Sequence, residues 1–141
     1  MRFKLAVLFY SLKRLLLIFK GYNIGEKSQI ERGVNLDKLN SNGVKIGNNT
    51  LVAKGCVILS HSHPRRSSDD KPIFYNTEIG NNCFIGINSI IQPGIIIGDE
   101  VIIGDGSVVT KNIPKGSFAA GNPAVVIKKI ECGFFGKLKS K

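Results

Sequence analysis

One aliphatic residue in every six constrains this chain more than any other feature: Ile79, Ile85, Ile91, Ile97, Ile103 and Val109 recur without a slip. Gly80, Gly86, Gly98 and Gly104 directly follow four of them, and Cys83, Ser89, Ile95, Val101, Ser107 and Ile113 stand four places on. The frame reappears at Ile46, Val52 and Ile58, with Gly47, Ala53, Thr50 and Cys56 in the matching slots, and more faintly at Ile24, Ile30 and Leu36. An amphipathic helix needs apolar residues three and four apart, and the strands of an antiparallel sandwich alternate with a period of two. A period of six, set among β-branched residues and punctuated by Gly, Asn and Asp, calls instead for short strands and tight turns wound into a parallel β-helix. Successive coils stack about 4.8 Å apart, with Ile and Val inward and Gly-Asn, Gly-Asp and Asn-Asn pairs at the turns. The repeats suffice for about four coils, interrupted at Asp37 to Val44 and at Pro64 to Glu78, where the frame breaks and then resumes.

The chain has 141 residues, enough for one domain but thin for a solenoid whose ends must be capped. Its formal net charge of +10 is unevenly spread. Residues 1–20 carry five Lys and Arg and no acid, residues 111–141 carry seven Lys against Glu131, and the stretch between is nearly neutral. Basic ends suit an anionic membrane surface or a phosphorylated ligand. Nucleic acid is not expected as a partner, because the aromatics lie in apolar runs and no base-reading motif is present. Cys56, Cys83 and Cys132 form no paired spacing, and two of them occupy the small-residue slot of the repeat, so they read as packed thiols of a reducing compartment. His61 and His63 are the only histidines, and no cysteine is spaced to complete a metal site with them.

Residues 1–20 read as a basic amphipathic helix. Lys13 and Arg14 cut its apolar run short of the roughly 20 residues a spanning helix needs, and no small-x-small cleavage site follows. The helix is expected to cap the open end of the coil, to rest on an anionic membrane, or to do both. The coil itself occupies residues 21–130, and residues 131–141 read as a basic, solvated tail bearing Phe134 and Phe135.

The run from Ile79 to Ile130, with Thr110-Lys111 and Ala120-Gly121-Asn122-Pro123-Ala124, resembles the hexapeptide-repeat acyltransferases, in the branch of the maltose, galactoside and polysaccharide O-acetyltransferases. The resemblance extends over roughly residues 44–130. It implies an all-β, left-handed parallel β-helix, a homotrimer, and acetyl-CoA as co-substrate. The expected enzyme is an O-acetyltransferase acting on a glycan or glycan precursor, cytoplasmic or peripheral at the inner face of the membrane.

The catalytic histidine of that family precedes a proline where the repeat breaks, a position held here by His63 in Ser60-His61-Ser62-His63-Pro64. The residue type fits the chemistry, because a sugar hydroxyl is a poor nucleophile and an imidazole titrating near neutrality can take its proton as it attacks the thioester. His61 faces the same side of an extended segment and is a rival base or an orienting group. By the same resemblance Thr110, Lys111 and Lys128 meet the nucleotide and phosphates of coenzyme A, Phe84 stands where Trp is usual, and backbone groups of Ile87 and Asp105 hold the pantetheine arm. Val125 departs from a usual Arg, and Gly33 replaces an acceptor-binding Asn that Asn35 does not align with. Acceptor-side candidates are therefore His61, Asn35, Arg65 and Arg66. Transfer to serine or an amino sugar is a second reading, weakened because Asp37-Lys38 stands where an Asp-His pair belongs. A catalytically silent scaffold is a third.

Overall fold

The computed structural model describes residues 2–139, with the side chains of 2, 3, 65 and 66 outside that description. The helix α1 (Arg2–Phe19) comes first. A first circuit then runs through β1 (Asn23–Ile24), β2 (Gln29–Ile30) and β3 (Asn35–Leu36), and a second through β4 (Val44–Ile46), β5 (Leu51–Val52) and β6 (Val57–Ile58). A hairpin of β7 (His61–Arg66) and β8 (Pro72–Phe74) leaves the coil before β9 (Thr77–Ile79), β10 (Phe84–Ile85) and β11 (Ile90–Ile91) resume it. The last circuit is β12 (Ile96–Ile97), β13 (Ile102–Ile103) and β14 (Val108–Val109), after which β15 (Ser117–Gly121) turns back into β16 (Ala124–Lys129).

Each side of the coil is one parallel sheet, because every strand pairs with the strand one circuit earlier: β1-β4-β9-β12, β2-β5-β10-β13-β15 and β3-β6-β11-β14. The register stacks like on like. Ile24, Ile46, Ile79 and Ile97 form one column, Ile30, Val52, Ile85, Ile103 and Ala119 a second, and Leu36, Ile58, Ile91 and Val109 a third. All of these side chains are buried and meet along the axis of the coil as one core.

The corners explain the rest of the repeat. Buried Ser28 and Thr50 pass hydrogen bonds inside the coil: the Thr50 N–H donates to Ser28 Oγ at 2.9 Å, and the Cys83 N–H donates to Thr50 Oγ1 at 3.1 Å. Outside, the Asn48 N–H donates to Asn81 Oδ1 and the Asn81 N–H to Asp99 Oδ1, both at 2.7 Å. These side chains pair corner N–H groups that a strand ladder cannot reach. The glycine after each aliphatic serves spacing. A Cβ on Gly80 would lie 2.5 Å from Asp99 Oδ1 and 2.7 Å from the Gly98 carbonyl carbon, so the layers close only over a bare backbone. The left-handed turn conformation falls on Asn82, with φ of 57°, in the Asn81-Asn82 pair at this corner.

α1 packs on β1 and β2 and closes the first circuit. Lys13 Nζ donates to the Glu31 carbonyl at 2.6 Å, and Arg14 Nε to the Gly25 carbonyl at 2.7 Å, while Leu17 packs on the core. The C-terminal segment does not stand off as a solvated tail. Cys132 is buried and bridges Leu138, the Phe135 N–H donates to the Asn49 carbonyl at 2.9 Å, and Gly136 is buried against Phe84 and Ile102. The second interruption also begins earlier than the proline suggested, so both histidines lie on the outgoing strand β7.

Because Ile91 is fully buried between Ile58 and Val109, Ile91→Ala is expected to destabilise the fold by about 2–5 kcal/mol and Ile91→Val by about 0.5–1.5 kcal/mol. Urea unfolding followed by far-UV circular dichroism measures both.

Candidate active site

Where the coil first breaks, Asp37 follows the buried Leu36, and its own N–H continues the ladder to the Ile58 carbonyl at 2.9 Å. Its side chain turns inward and is 1% exposed. Oδ1 accepts the N–H of Leu39 at 3.0 Å and of Asn40 at 3.2 Å, and Oδ2 accepts that of Ser60 at 2.7 Å. Oδ2 also lies 2.5 Å from His61 Nδ1. Asn40 ties the two breaks together, its Nδ2 donating to the carbonyls of Ser60 at 2.8 Å and Tyr75 at 3.1 Å.

His61 is 14% exposed, and its Nε2 lies 2.9 Å from Nε2 of the exposed His63, with the rings edge to face at 87°. An ionised carboxylate only accepts, so His61 Nδ1 carries the hydrogen of that bond. With both rings in the neutral form, His63 Nε2 donates to His61 Nε2 and His63 Nδ1 offers a lone pair to an incoming proton. Burial pushes the Asp37 carboxyl up, but the Ser60 N–H, the His61 ring and the Asn40 N–H outweigh it and hold it below its ordinary range. The thiols go the other way: burial raises Cys83 to about 12 and Cys56 to about 11, which leaves neither as a nucleophile at neutral pH.

The other expected site residues separate into groups. On the side of β7 away from the imidazoles, Thr110 shares a cleft of about 260 Å³ with Ser62, Tyr75, Gln92 and Pro93, and the exposed Lys111 adjoins it. Ile87 and Asp105 meet at another corner, between the second and third sheets, where Asp105 Oδ1 accepts the Ile87 N–H at 2.8 Å and the Ile87 carbonyl accepts the Gly106 N–H at 2.7 Å. The Ile87 N–H is thus already satisfied, and its carbonyl retains one lone pair. Phe84 and Lys128 both lie on the second sheet, Phe84 against the C-terminal turn and Lys128 exposed opposite Phe118. Asn35 lines a separate cavity at the α1 end with Lys20 and Lys38. The side chains of Arg65 and Arg66 lie outside the described residues. Sequence reasoning paired Asp37 only with Lys38. The signal for its true neighbour was the repeat frame, since Leu36 stacks on Ile58 and so brings Asp37 against residues 59–61.

A model of bacterial transferase hexapeptide repeats matches residues 76–111. The chain is 44% identical to Protein CapG of Staphylococcus aureus over 92 residues, covering 62% of this chain and 54% of that protein. It is 36% identical to the galactoside O-acetyltransferase of Escherichia coli (strain K12) over 113 residues, 78% of this chain and 56% of that one. The chain thus spans about half the length of these curated relatives. The crystal structure of a maltose O-acetyltransferase from Clostridium difficile 630 superposes with a TM-score of 0.69 at 31% identity, covering 86% of this chain and 76% of that one. A galactoside acetyltransferase in complex with coenzyme A superposes at 0.58, with 33% identity over 72% of this chain and 55% of that one. The chain belongs to the hexapeptide-repeat transferase family.

Because the folded Asp37 carboxyl sits below its unfolded value, its contribution to stability is complete above about pH 4 and is lost as pH falls through the lower folded value. As pH falls below about 4, wild-type urea midpoints should therefore drop more steeply than those of Asp37→Asn.

Proposed function

We propose that this chain is an acetyl-CoA-dependent O-acetyltransferase acting on a glycan or glycan precursor, with His63 as general base. The observation that carries the reading is the hydrogen-bonded sequence Asp37, His61, His63, which ends in an exposed imidazole. The acceptor oxygen attacks the thioester carbonyl carbon while its proton passes to His63 Nδ1. The C–S bond then breaks, and the coenzyme A thiolate leaves and recovers that proton as thiol, with no covalent enzyme intermediate. As His63 gains positive charge, its Nε2 proton can shift to His61 Nε2, and the imidazolium at His61 is balanced by the buried Asp37 carboxylate. In a triad of different residue types the orienting carboxylate plays the same part, fixing tautomer and stabilising the cation.

The left-handed coil of four turns and the homotrimer belong to this proposal. Thr110 and Lys111 stand at one edge of the prism and Ile87 and Asp105 at another. A groove between neighbouring subunits unites the two edges around one coenzyme A. Lys111 and Lys128 then offer point charges to its phosphates. The coenzyme A complex of a similar galactoside acetyltransferase supports the co-substrate. Asp37, which the serine acetyltransferase pattern would pair with a His at residue 38, is bonded to His61.

With acetyl-CoA and a panel of soluble glycans, His63→Ala is expected to slow acceptor-dependent thiol release by about 10²–10⁴-fold while calorimetric coenzyme A affinity is unchanged. Full turnover by that variant overturns the assignment of the base, and a wild-type chain that binds no acetyl-CoA overturns the enzyme reading. Asp37→Asn, which disturbs the His61 tautomer, should lower kcat by on the order of 10²-fold with little change in KM.

A further inference from the structure

α1 is inside out. A helix on the surface of a water-soluble domain buries its apolar stripe and shows its charges to solvent. Here Lys13 and Arg14 face inward and are bonded to the carbonyls of Glu31, Ile24 and Gly25. The outer face carries Leu5, Leu8, Leu12, Leu15, Leu16 and Phe19, at spacings of three, four and seven. The five leucines are 54–62% exposed and Phe19 is 92% exposed. This is one continuous apolar strip along the whole helix. On the flank of the helix toward the coil, Val7 and Tyr10 share a groove with Arg14, Lys27, Phe134 and Phe135, so the C-terminal turn lies beside the helix.

The strip is ringed with positive charge. Lys4 and Lys20 are exposed near the helix ends, and Lys27, Arg32 and Lys38 stand exposed at the three corners of the first circuit. Residues 1–40 hold eight Lys and Arg against Glu26, Glu31 and Asp37. Asp37 is buried against His61, and Glu31 Oε2 is taken up by the Lys54 N–H at 2.8 Å.

We propose that the outer face of α1 docks on an anionic lipid bilayer, with the helix lying in the headgroup and acyl boundary and the basic rim on the lipid headgroups. The charge decides between lipid and a second copy of the chain. Pairing α1 with α1 would press two such basic rims together, whereas an anionic surface neutralises one. The attachment is along the surface, since among the described residues no helix is long and apolar enough to cross a membrane, and Lys13 and Arg14 tie the middle of α1 to the coil. Docking at this end sets Asp37 and the two histidines, which stand on the first and second circuits, close above the lipid surface.

Sedimentation of the full chain with vesicles tests this. The chain is expected to pellet with phosphatidylcholine–phosphatidylglycerol vesicles, to pellet far less with phosphatidylcholine alone, and to be released by salt. Leu8→Gln/Leu12→Gln/Leu15→Gln should weaken partitioning about tenfold or more with an unchanged circular dichroism spectrum and unchanged thiol release on a soluble acceptor. Lys4→Glu/Lys20→Glu, which leaves every leucine in place, should abolish the preference for anionic lipid. Wild-type chain that stays in the supernatant with anionic vesicles overturns the proposal. So does undiminished binding by the leucine variant, or lipid-free self-association that the leucine substitutions abolish.

Discussion

The spacing between adjacent parallel strands, about 4.8 Å, governs this molecule. Each residue of the coil lies directly over its counterpart one circuit earlier, so the same demand is made at every level. The inward position must fill the same space, which is why Ile30, Val52, Ile85 and Ile103 are all branched aliphatics. The corner position has no such space. Gly80 must be bare because Asp99 and Gly98 of the next layer already occupy the place of a Cβ. Hydrogen bonding follows the same rule, for the corner N–H groups that miss the ladder are caught by Asn, Asp, Ser and Thr side chains one layer away. Burial and hydrogen bonding are thus satisfied by the same repeat, and the fold needs no long-range sequence signal beyond it.

Chemistry enters where that repeat fails. While the coil is regular, its inward aliphatic side chains are taken up by packing, and corner side chains such as Asn81, Asp99 and Asp105 by corner N–H groups. At the first break the chain has freedom to turn Asp37 inward, and at the second it runs out along β7 with His61 and His63 on one side. Asn40 and Ser60 stitch the two breaks together, so the imidazoles are held by groups from both circuits. The regular part of the coil acts as a rigid mount for the irregular part, as is usual for sites carried on loops.

The two ends of the coil are closed by different means. β16 folds back on β15 at one end, burying Ala124, and α1 lies across the other. A cap that turns Lys13 and Arg14 inward and leaves Leu5, Leu8, Leu12, Leu15 and Leu16 exposed satisfies backbone carbonyls of the first circuit at the expense of the outward surface. That trade makes physical sense only if the outward surface meets something other than bulk water, and the basic rim around it is matched to an anionic one.

The sequence alone determined the coil, because a period of six leaves stacked short strands as the way to bury one aliphatic in six, and each repeat states the rule again. It also marked His61 and His63, since a break in a regular frame is visible wherever it falls. It did not show which group orients them. Asp37 and His61 are 24 residues apart, and only the stacking of Leu36 on Ile58 brings them together. Nor did it show which way α1 turns. Its apolar and basic residues are plain in the sequence, but a helix bearing both can present either to the coil, and the open carbonyls of the first circuit, which exist only in the folded chain, drew Lys13 and Arg14 inward. The C-terminal segment follows the same logic: Cys132, Phe135 and Gly136 have nothing to meet until the coil has brought the Asn82 carbonyl, the Asn49 carbonyl, and Phe84 with Ile102 into place for them in turn.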